Sequence, residues 1–378
     1  MKNNSRSPLH VHIIDSLNVG GAQTHLATML RHAVAHYPYQ HRVLGLFGDG
    51  AMIAEFESLG APVDVLDIGP ALRRHAYGEA TRMIRTPLEQ FRPSVVEAHL
   101  SYSRFFGMPA AWLAGVPVRI GFEHGDLYMN EWKHRIANYA TQYAAQRVVV
   151  CSKALADWAG KTHGIQRHRI EVLHNCVDEQ KFNPAAPESR DHFGFGPETT
   201  VVCAVGTLGK GVNKRVDIIL RAVERLRRDG HDVALVVCGD GEQRPALESL
   251  IRELDIADRV RMPGLQRDVP RVLANCDVFC HAAPFEPFGI VCIEAMAIGL
   301  PAIVPDSGGI AEIVEDGVTG LKYRPLDVEG LARAIADLHR DAALRTKMGQ
   351  RGRLTVLEKF TVHTYMERLY AMYERLAA

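Results

Sequence analysis

Short apolar runs rich in Val and Ile alternate with longer stretches of helical spacing along most of the chain. That alternation leaves few architectures open. Parallel strands need long crossovers, and a helix on each crossover covers a face of the sheet. In the first half the runs are LHVHIID from Leu9, RVLGLF from Arg42, VDVLDI from Val63, VVEAHL from Val95, VRIGFE from Val118, RVVVCS from Arg147 and IEVLHN from Ile170. Leu26, Met29, Leu30 and Ala33, spaced i, i+3, i+4, i+7, predict a helix after the first run. The pattern breaks over 183–199, where three prolines and two glycines lie without periodicity, as in an interdomain linker. It restarts with TVVCAVG, VALVVCGDG, RVRMPG, DVFCHA and PAIVPD. A chain of 378 residues also exceeds what one core usually supports. The expectation is two doubly wound α/β domains, 1–184 and 198–358. Tyr365, Leu369, Met372, Tyr373 and Leu376 predict a final helix over about 360–378, expected to pack back on the first domain.

Charge excludes some functions. Lys+Arg and Asp+Glu both count 44, so no global basic field gathers nucleic acid, and any bound anion must be held by local geometry. The first 21 residues lack the apolar stretch of a secretory signal. Phe105–Val118, the longest uncharged stretch of note, is too short to span a bilayer and holds two prolines. The seven cysteines form no CxxC pair and read as small buried hydrophobes of a reducing compartment, so a cytoplasmic location is expected. Eighteen histidines show no HExxH; His10 and His12 share a strand face without a visible third ligand, which favours a structural role over a metal.

Glu286–Pro305, EPFGIVCIEAMAIGLPAIVP, is the most informative segment. A helix is expected from near Pro287, because proline is tolerated in a first turn. Glu294 is the lone charge of an otherwise apolar helix, so it must be paired, hydrogen-bonded or protonated. It is either half of an internal ion pair or an acceptor for two vicinal hydroxyls, as on a ribose. Glu286 stands at a strand end, and the amides of Phe288, Gly289 and Ile290 are helix-start donors suited to an anion or to sugar oxygens. Ligands of open parallel sheets sit beyond the carboxyl ends of the strands, which places these groups in an expected cleft.

Two glutamates with seven residues between them are weak on their own, but Glu286–Leu321 reads EPFGIVxxEAMAxGxPxIVPDSGGxxEIVEDGxTGL. In this the chain resembles the retaining glycosyltransferases of the GT-B fold, family 4. SLNVGGAQTHLATML, VVCSKALADWAGKTHGI and IEVLHNCVDEQKFNP extend the resemblance over most of 9–340, with Cys176 standing where glycine is usual. The resemblance implies two Rossmann-like domains facing across a cleft, with the first on the acceptor side. It implies that Glu286 contacts hydroxyls of the donor sugar and that Glu294 accepts from the nucleotide ribose. Phe288, Gly289 and Ile290 would meet the sugar and diphosphate through their amides, and Gly20 and Gly21 would let backbone approach the diphosphate. Lys214, opening KRVD, is the implied phosphate ligand; Thr207 stands where arginine is usual, in a loop about two residues longer, so Lys210 or Arg215 would supply the second charge. Lys210 is not the lysine of a Walker A loop, lacking the upstream glycine spacing and a following Ser/Thr. His124, after VRIGFE, is implied near the donor sugar and diphosphate, and His99 and Glu312 are further candidates. The turns Cys238–Gly241 and Met262–Gly264 are expected to form the base pocket. Arg73, Arg74, Arg82 and Arg85, in an expected helix over 71–91, offer either a solvated face or a dock for anionic headgroups at the inner membrane face.

The implied reaction moves a hexose or N-acetylhexosamine from a nucleotide sugar, a UDP-sugar by preference, to a glycan, lipid-linked or small-molecule acceptor. It needs no metal or cofactor, and retention follows front-side displacement. Three alternatives stay open. A nucleotide-sugar 2-epimerase shares the architecture. A nicotinamide dehydrogenase is weaker, since NVGGAQ replaces G-x-G-x-x-G although Asp49 follows the second run. A non-catalytic nucleotide-sugar sensor is consistent with Thr207.

Overall fold

The computed structural model describes residues 8–125, 132–184, 193–209 and 214–378. Two compact units divide the chain, one made of Met1–Asn175 with Val362–Ala378 and the other of Cys176–Thr361.

The first unit is built on β1 (Leu9–Ser16), β2 (Gln40–Phe47), β3 (Val63–Val65), β4 (Val95–His99), β5 (Val118–Glu123), β6 (Arg147–Val150) and β7 (Ile170–Val172). All pairings are parallel, in the order β3-β2-β1-β4-β5-β6-β7. The chain order reverses between β1 and β4, the place where doubly wound sheets open a crevice. Val11, Ile13, Leu44, Leu46, Val96 and Ala98 fill the core. The helix Gly21–His36 follows β1 and buries Leu26, Met29, Leu30 and Ala33. Asp15, near the end of β1, accepts from the amides of Tyr102 and Ser103 at 3.0 and 2.6 Å, which pins the π-helical turn Ser103–Gly107. The last helix, Val362–Ala377, belongs to this unit. Its Tyr370 stacks on Tyr37 with ring centroids 3.9 Å apart, and Arg375 grips Glu171 at 2.7 and 2.6 Å.

The expected single helix over 71–91 is two helices, Gly69–Arg73 and Tyr77–Phe91. His75 takes φ +57° between them and breaks the run. Arg74 and Arg85 pair with Glu79 and Glu89 at 3.1 and 2.7 Å, so two of the four arginines already have anionic partners. Among the described residues no helix is long and apolar enough to cross a membrane.

The second unit holds β8 (Thr200–Val205), β9 (Val233–Cys238), β10 (Val260–Gly264), β11 (Val278–Cys280), β12 (Ala302–Pro305) and β13 (Gly320–Tyr323). These too pair in parallel, in the order β10-β9-β8-β11-β12-β13, with the reversal between β8 and β11. The helices Val216–Arg228 and Val328–Arg340 bury Ile219, Val223, Leu226, Leu331, Ile335 and Leu338 in its core. β13 is a strand the apolar runs do not reveal. It is short, and Lys322 stands between its two large apolar residues, Leu321 and Tyr323.

The proline-rich run is not all solvated linker. Phe193 and Phe195 are buried, and the Arg261 guanidinium lies 4.6 Å over the Phe195 ring. The unit's two ends run side by side, with Val177 bridging Thr361 and its amide donating to the Phe360 carbonyl at 2.9 Å.

Candidate active site

In the second unit the chemistry collects beyond the carboxyl ends of β8 and β11, at the order reversal. Lys214 Nζ donates to Glu286 Oε2 at 2.6 Å. His281, directly after β11, brings Nε2 to 3.3 Å from the same oxygen. Burial alone would raise the Glu286 carboxyl, but the Lys214 charge and His281 together outweigh it and hold it well below the usual carboxylate range. Burial pushes His281 down, with Glu286 opposing. His281 was not singled out in the sequence. The available signal was a polar residue directly after the apolar run VFC, at a strand's carboxyl end.

The loop that carries Glu286 is shaped by glycines on the facing turn. Gly309 N–H donates to the Glu286 carbonyl at 2.8 Å, and a Cβ on Gly308, at φ +69°, would fall 2.7 Å from that oxygen. Gly308→Ala must strain its own backbone or displace Glu286. The expected outcome is a loss of about 1–3 kcal/mol of stability together with weaker donor binding, read by thermal melts and calorimetry.

The helix expected from Pro287 starts later, at Ile290. Gly289 precedes it at φ +94°, a conformation that interrupts the helical path, and Phe288 is buried with its ring centroid 6.0 Å from that of Phe360. Phe288 thus anchors the loop by its side chain. The Cys292 amide turns back to the Gly289 carbonyl at 2.9 Å, while Ile290 and Val291 open the helix with amides that lack an intrahelical acceptor. One turn further on, Glu294 is neither ion-paired nor hydrogen-bonded among the described residues. Burial pushes its carboxyl up to about 7, against a weaker pull from the Lys181 charge.

Thr207 is exposed on the loop after β8, and the neighbouring Leu208 is tied to Asp240 by a 2.9 Å amide bond. Lys210 lies outside the described residues. Arg215 is engaged by Asp217 through two 2.9 Å bonds at the start of its own helix, so its charge is already matched locally. The turns Cys238–Gly241 and Met262–Gly264 sit side by side, joined by the Gly239 amide to the Gly264 carbonyl at 3.0 Å. Glu312 is exposed on the short helix Ile310–Ile313.

In the first unit, Gly20 and Gly21 lead from β1 into the helix Gly21–His36, whose first turn carries no acidic residue. A Cβ on Gly21 would meet nothing within 4 Å, whereas one on Gly20 would press the Gln23 amide at 2.6 Å. His124 follows β5 with Nε2 3.4 Å from Nδ1 of His99 at the end of β4. Burial pushes His124 down to about 3, helped by His99 and His25, so its ring is neutral. His10 and His12 do not form a pair in the fold; beside His12 it gathers Glu97 and His99 instead. The β1–β4 register sets Glu97 opposite His12, and His12 Nδ1, Glu97 Oε2 and His99 Nε2 gather there. His10 instead stacks on Tyr39, with centroids 4.4 Å apart. All seven cysteines are buried and unbridged.

Two family models match this chain, Glycosyltransferase Family 4 over residues 19–181 and glycosyl transferases group 1 over residues 186–355. The chain belongs to the group 1 glycosyltransferases. The putative glycosyltransferase EpsF of Bacillus subtilis is 28% identical over 353 residues, 88% of this chain and 89% of that one. N-acetyl-alpha-D-glucosaminyl L-malate synthase of Bacillus anthracis is 30% identical over 208 residues, 55% of this chain; that match spans about half of the relative's length, 53%. In structure, HepE of Anabaena in complex with UDP and glucose superposes with a TM-score of 0.82 at 21% identity, covering 97% of this chain and 99% of that one. That likeness is one of fold. The two Rossmann-like units of this glycosyltransferase are those of the GT-B fold.

Proposed function

We propose that this glycosyltransferase moves a hexosyl or N-acetylhexosaminyl group from a nucleoside diphosphate sugar, a UDP-sugar by preference, to a glycan, lipid-linked or small-molecule acceptor with retention of configuration. The observation that carries the reading is the Lys214–Glu286–His281 cluster at the β8–β11 reversal. Loss of a diphosphate leaves negative charge on the departing group and positive charge at the anomeric carbon. Lys214 and the Ile290 and Val291 amides meet the first, and the ionised Glu286 lies where it can orient sugar hydroxyls. Glu294 accepts the ribose hydroxyls. The UDP preference draws on HepE, which is bound to UDP, although a relative in Mycolicibacterium smegmatis is described as GDP-mannose-dependent.

The test is a thermal-shift and turnover screen of UDP-, GDP- and ADP-hexoses, with product configuration read by NMR. A UDP-sugar should raise Tm most and be consumed only when acceptor is present. Donor changed in the absence of acceptor would mark an epimerase, and tight binding with no transfer across a broad acceptor panel would mark a sensor. Because Lys214 and backbone amides take up the leaving charge in this reading, EDTA is expected to leave turnover unchanged. A loss restored by a divalent ion would overturn that part.

A further inference from the structure

We propose that His12 Nδ1, Glu97 Oε2 and His99 Nε2 form a structural zinc site that fastens β1 to β4 within the first unit. The site lies outside the transfer step and goes beyond the reading above.

The β1–β4 register sets His12 opposite Glu97, and His99, two residues after Glu97, shares its face of the sheet. The three ligand atoms lie within 4.8 Å of one another. His12 Nδ1 is 2.8 Å from Glu97 Oε2, and His99 Nε2 stands 3.3 Å from the same oxygen. Atoms bonded at about 2.0–2.2 Å to a tetrahedral zinc lie about 3.4 Å apart. His99 therefore already has that spacing, and His12 has to draw back by roughly half an ångström. Two imidazoles with one carboxylate are a donor set that zinc takes.

Two observations call for a cation here and not only a proton. Glu97 is fully buried, and among the described residues no lysine or arginine lies within ion-pair distance of it. Buried charges are paired or coordinate metals. The second observation is His99 Nε2, which is buried beside the carboxylate and has no hydrogen-bond partner. A proton shared by His12 and Glu97 serves those two groups and leaves His99 Nε2 with nothing. A metal ion serves all three.

The outer atoms of the three side chains are engaged as well, which is the usual support for metal ligands. With Nδ1 on the metal, His12 donates from Nε2 to Nδ1 of His41, 3.1 Å away on β2. With Nε2 on the metal, His99 donates from Nδ1 to Nε2 of His124 at 3.4 Å. The Tyr373 hydroxyl of the last helix donates to Glu97 Oε1, so that helix is tied to the same centre. His12, Glu97 and His99 are only 3, 0 and 1% exposed, which closes the site to substrate and makes its role structural.

The experiment is a metal count by mass spectrometry on the full chain, purified without chelator from zinc-supplemented cells. About one zinc per chain is expected, held against a chelator in native buffer and released on unfolding. Protein stripped by unfolding in chelator and refolded should melt several degrees lower and recover when zinc is added. Tyr373→Phe keeps all three ligands and should weaken zinc binding about 10–100-fold. His99→Asn should lose the zinc, and His36→Asn, at an exposed histidine, should keep it. Wild-type protein that holds no metal and melts the same with and without zinc overturns the proposal even if no variant folds. So does zinc that a chelator strips at once from the native chain, or that persists in folded His99→Asn, either of which marks adventitious binding. Failure of every nucleotide sugar to bind overturns the transferase reading instead, while the metal count still decides this site.

Discussion

Replacing Lys214 with alanine is expected to lower kcat/KM about 10²–10³-fold, the loss typical when one donor aimed at developing negative charge is removed. Two effects add. The leaving diphosphate loses its cation, and Glu286 loses the partner 2.6 Å away that keeps it ionised. With Lys214 gone, burial dominates at Glu286 and only His281 opposes it, so its pKa rises from its depressed position. The variant should therefore show an acid limb in its pH–rate profile at higher pH than the wild type. Lys214→Arg should recover part of the rate, since it restores the charge but not the geometry. A Lys214→Ala and Glu286→Gln pair should be strongly non-additive, because the two residues act as one unit. Steady-state kinetics with a saturating acceptor read all of this. A Lys214→Ala enzyme indistinguishable from wild type would reject the assignment.

The sequence carries the strands well because buried parallel strands are near-continuous apolar runs, and such runs survive as text. β13 does not, since Lys322 interrupts a strand of only four residues. Periodicity also says nothing of which strands become neighbours. β4 lies beside β1 although two strands intervene in the chain, and that register alone sets Glu97 against His12. The Glu97 network was therefore invisible, while Glu286 and Glu294 stand in one contiguous motif and Lys214 opens another, KRVD. The late start of the helix at Ile290 was missed for a similar reason. Proline is compatible with a helical first turn, but Gly289 adopts a positive φ of +94°, and a Cβ there would meet Ile310 at 2.9 Å, a tertiary constraint that periodicity does not carry. Arg215 carried a charge in the sequence that Asp217, two residues on, takes up in the fold.

Glu294 carries the second large expectation, because burial and ligand pull on it in opposite directions. Its carboxyl is pushed up to about 7 from an ordinary 4.5. A raised acid binds more protons folded than unfolded between those values, so its contribution to stability falls as pH rises from about 4.5 to 7. Above pH 7 the ionised form then costs about 3 kcal/mol, since each tenfold change in proton affinity is worth about 1.36 kcal/mol. Glu294→Gln removes that cost. It should raise the Tm of the ligand-free protein at pH 8 by several degrees and change it little at pH 5. Donor binding should respond with the opposite sign. The carboxylate accepts from both hydroxyls of a ribose in charge-assisted bonds stronger than those of the neutral acid, so wild-type affinity should strengthen between pH 6 and pH 8, with a proton released on binding. The glutamine variant should bind about 10–100-fold more weakly at pH 8 and show no such slope, the weakening being that of one or two charge-assisted hydrogen bonds. Calorimetry in buffers of different ionisation enthalpy counts the released proton directly. A flat wild-type profile, or a variant that is less stable and yet binds as tightly, would mean that the carboxyl already has its partner inside the protein and has no part in holding the nucleotide.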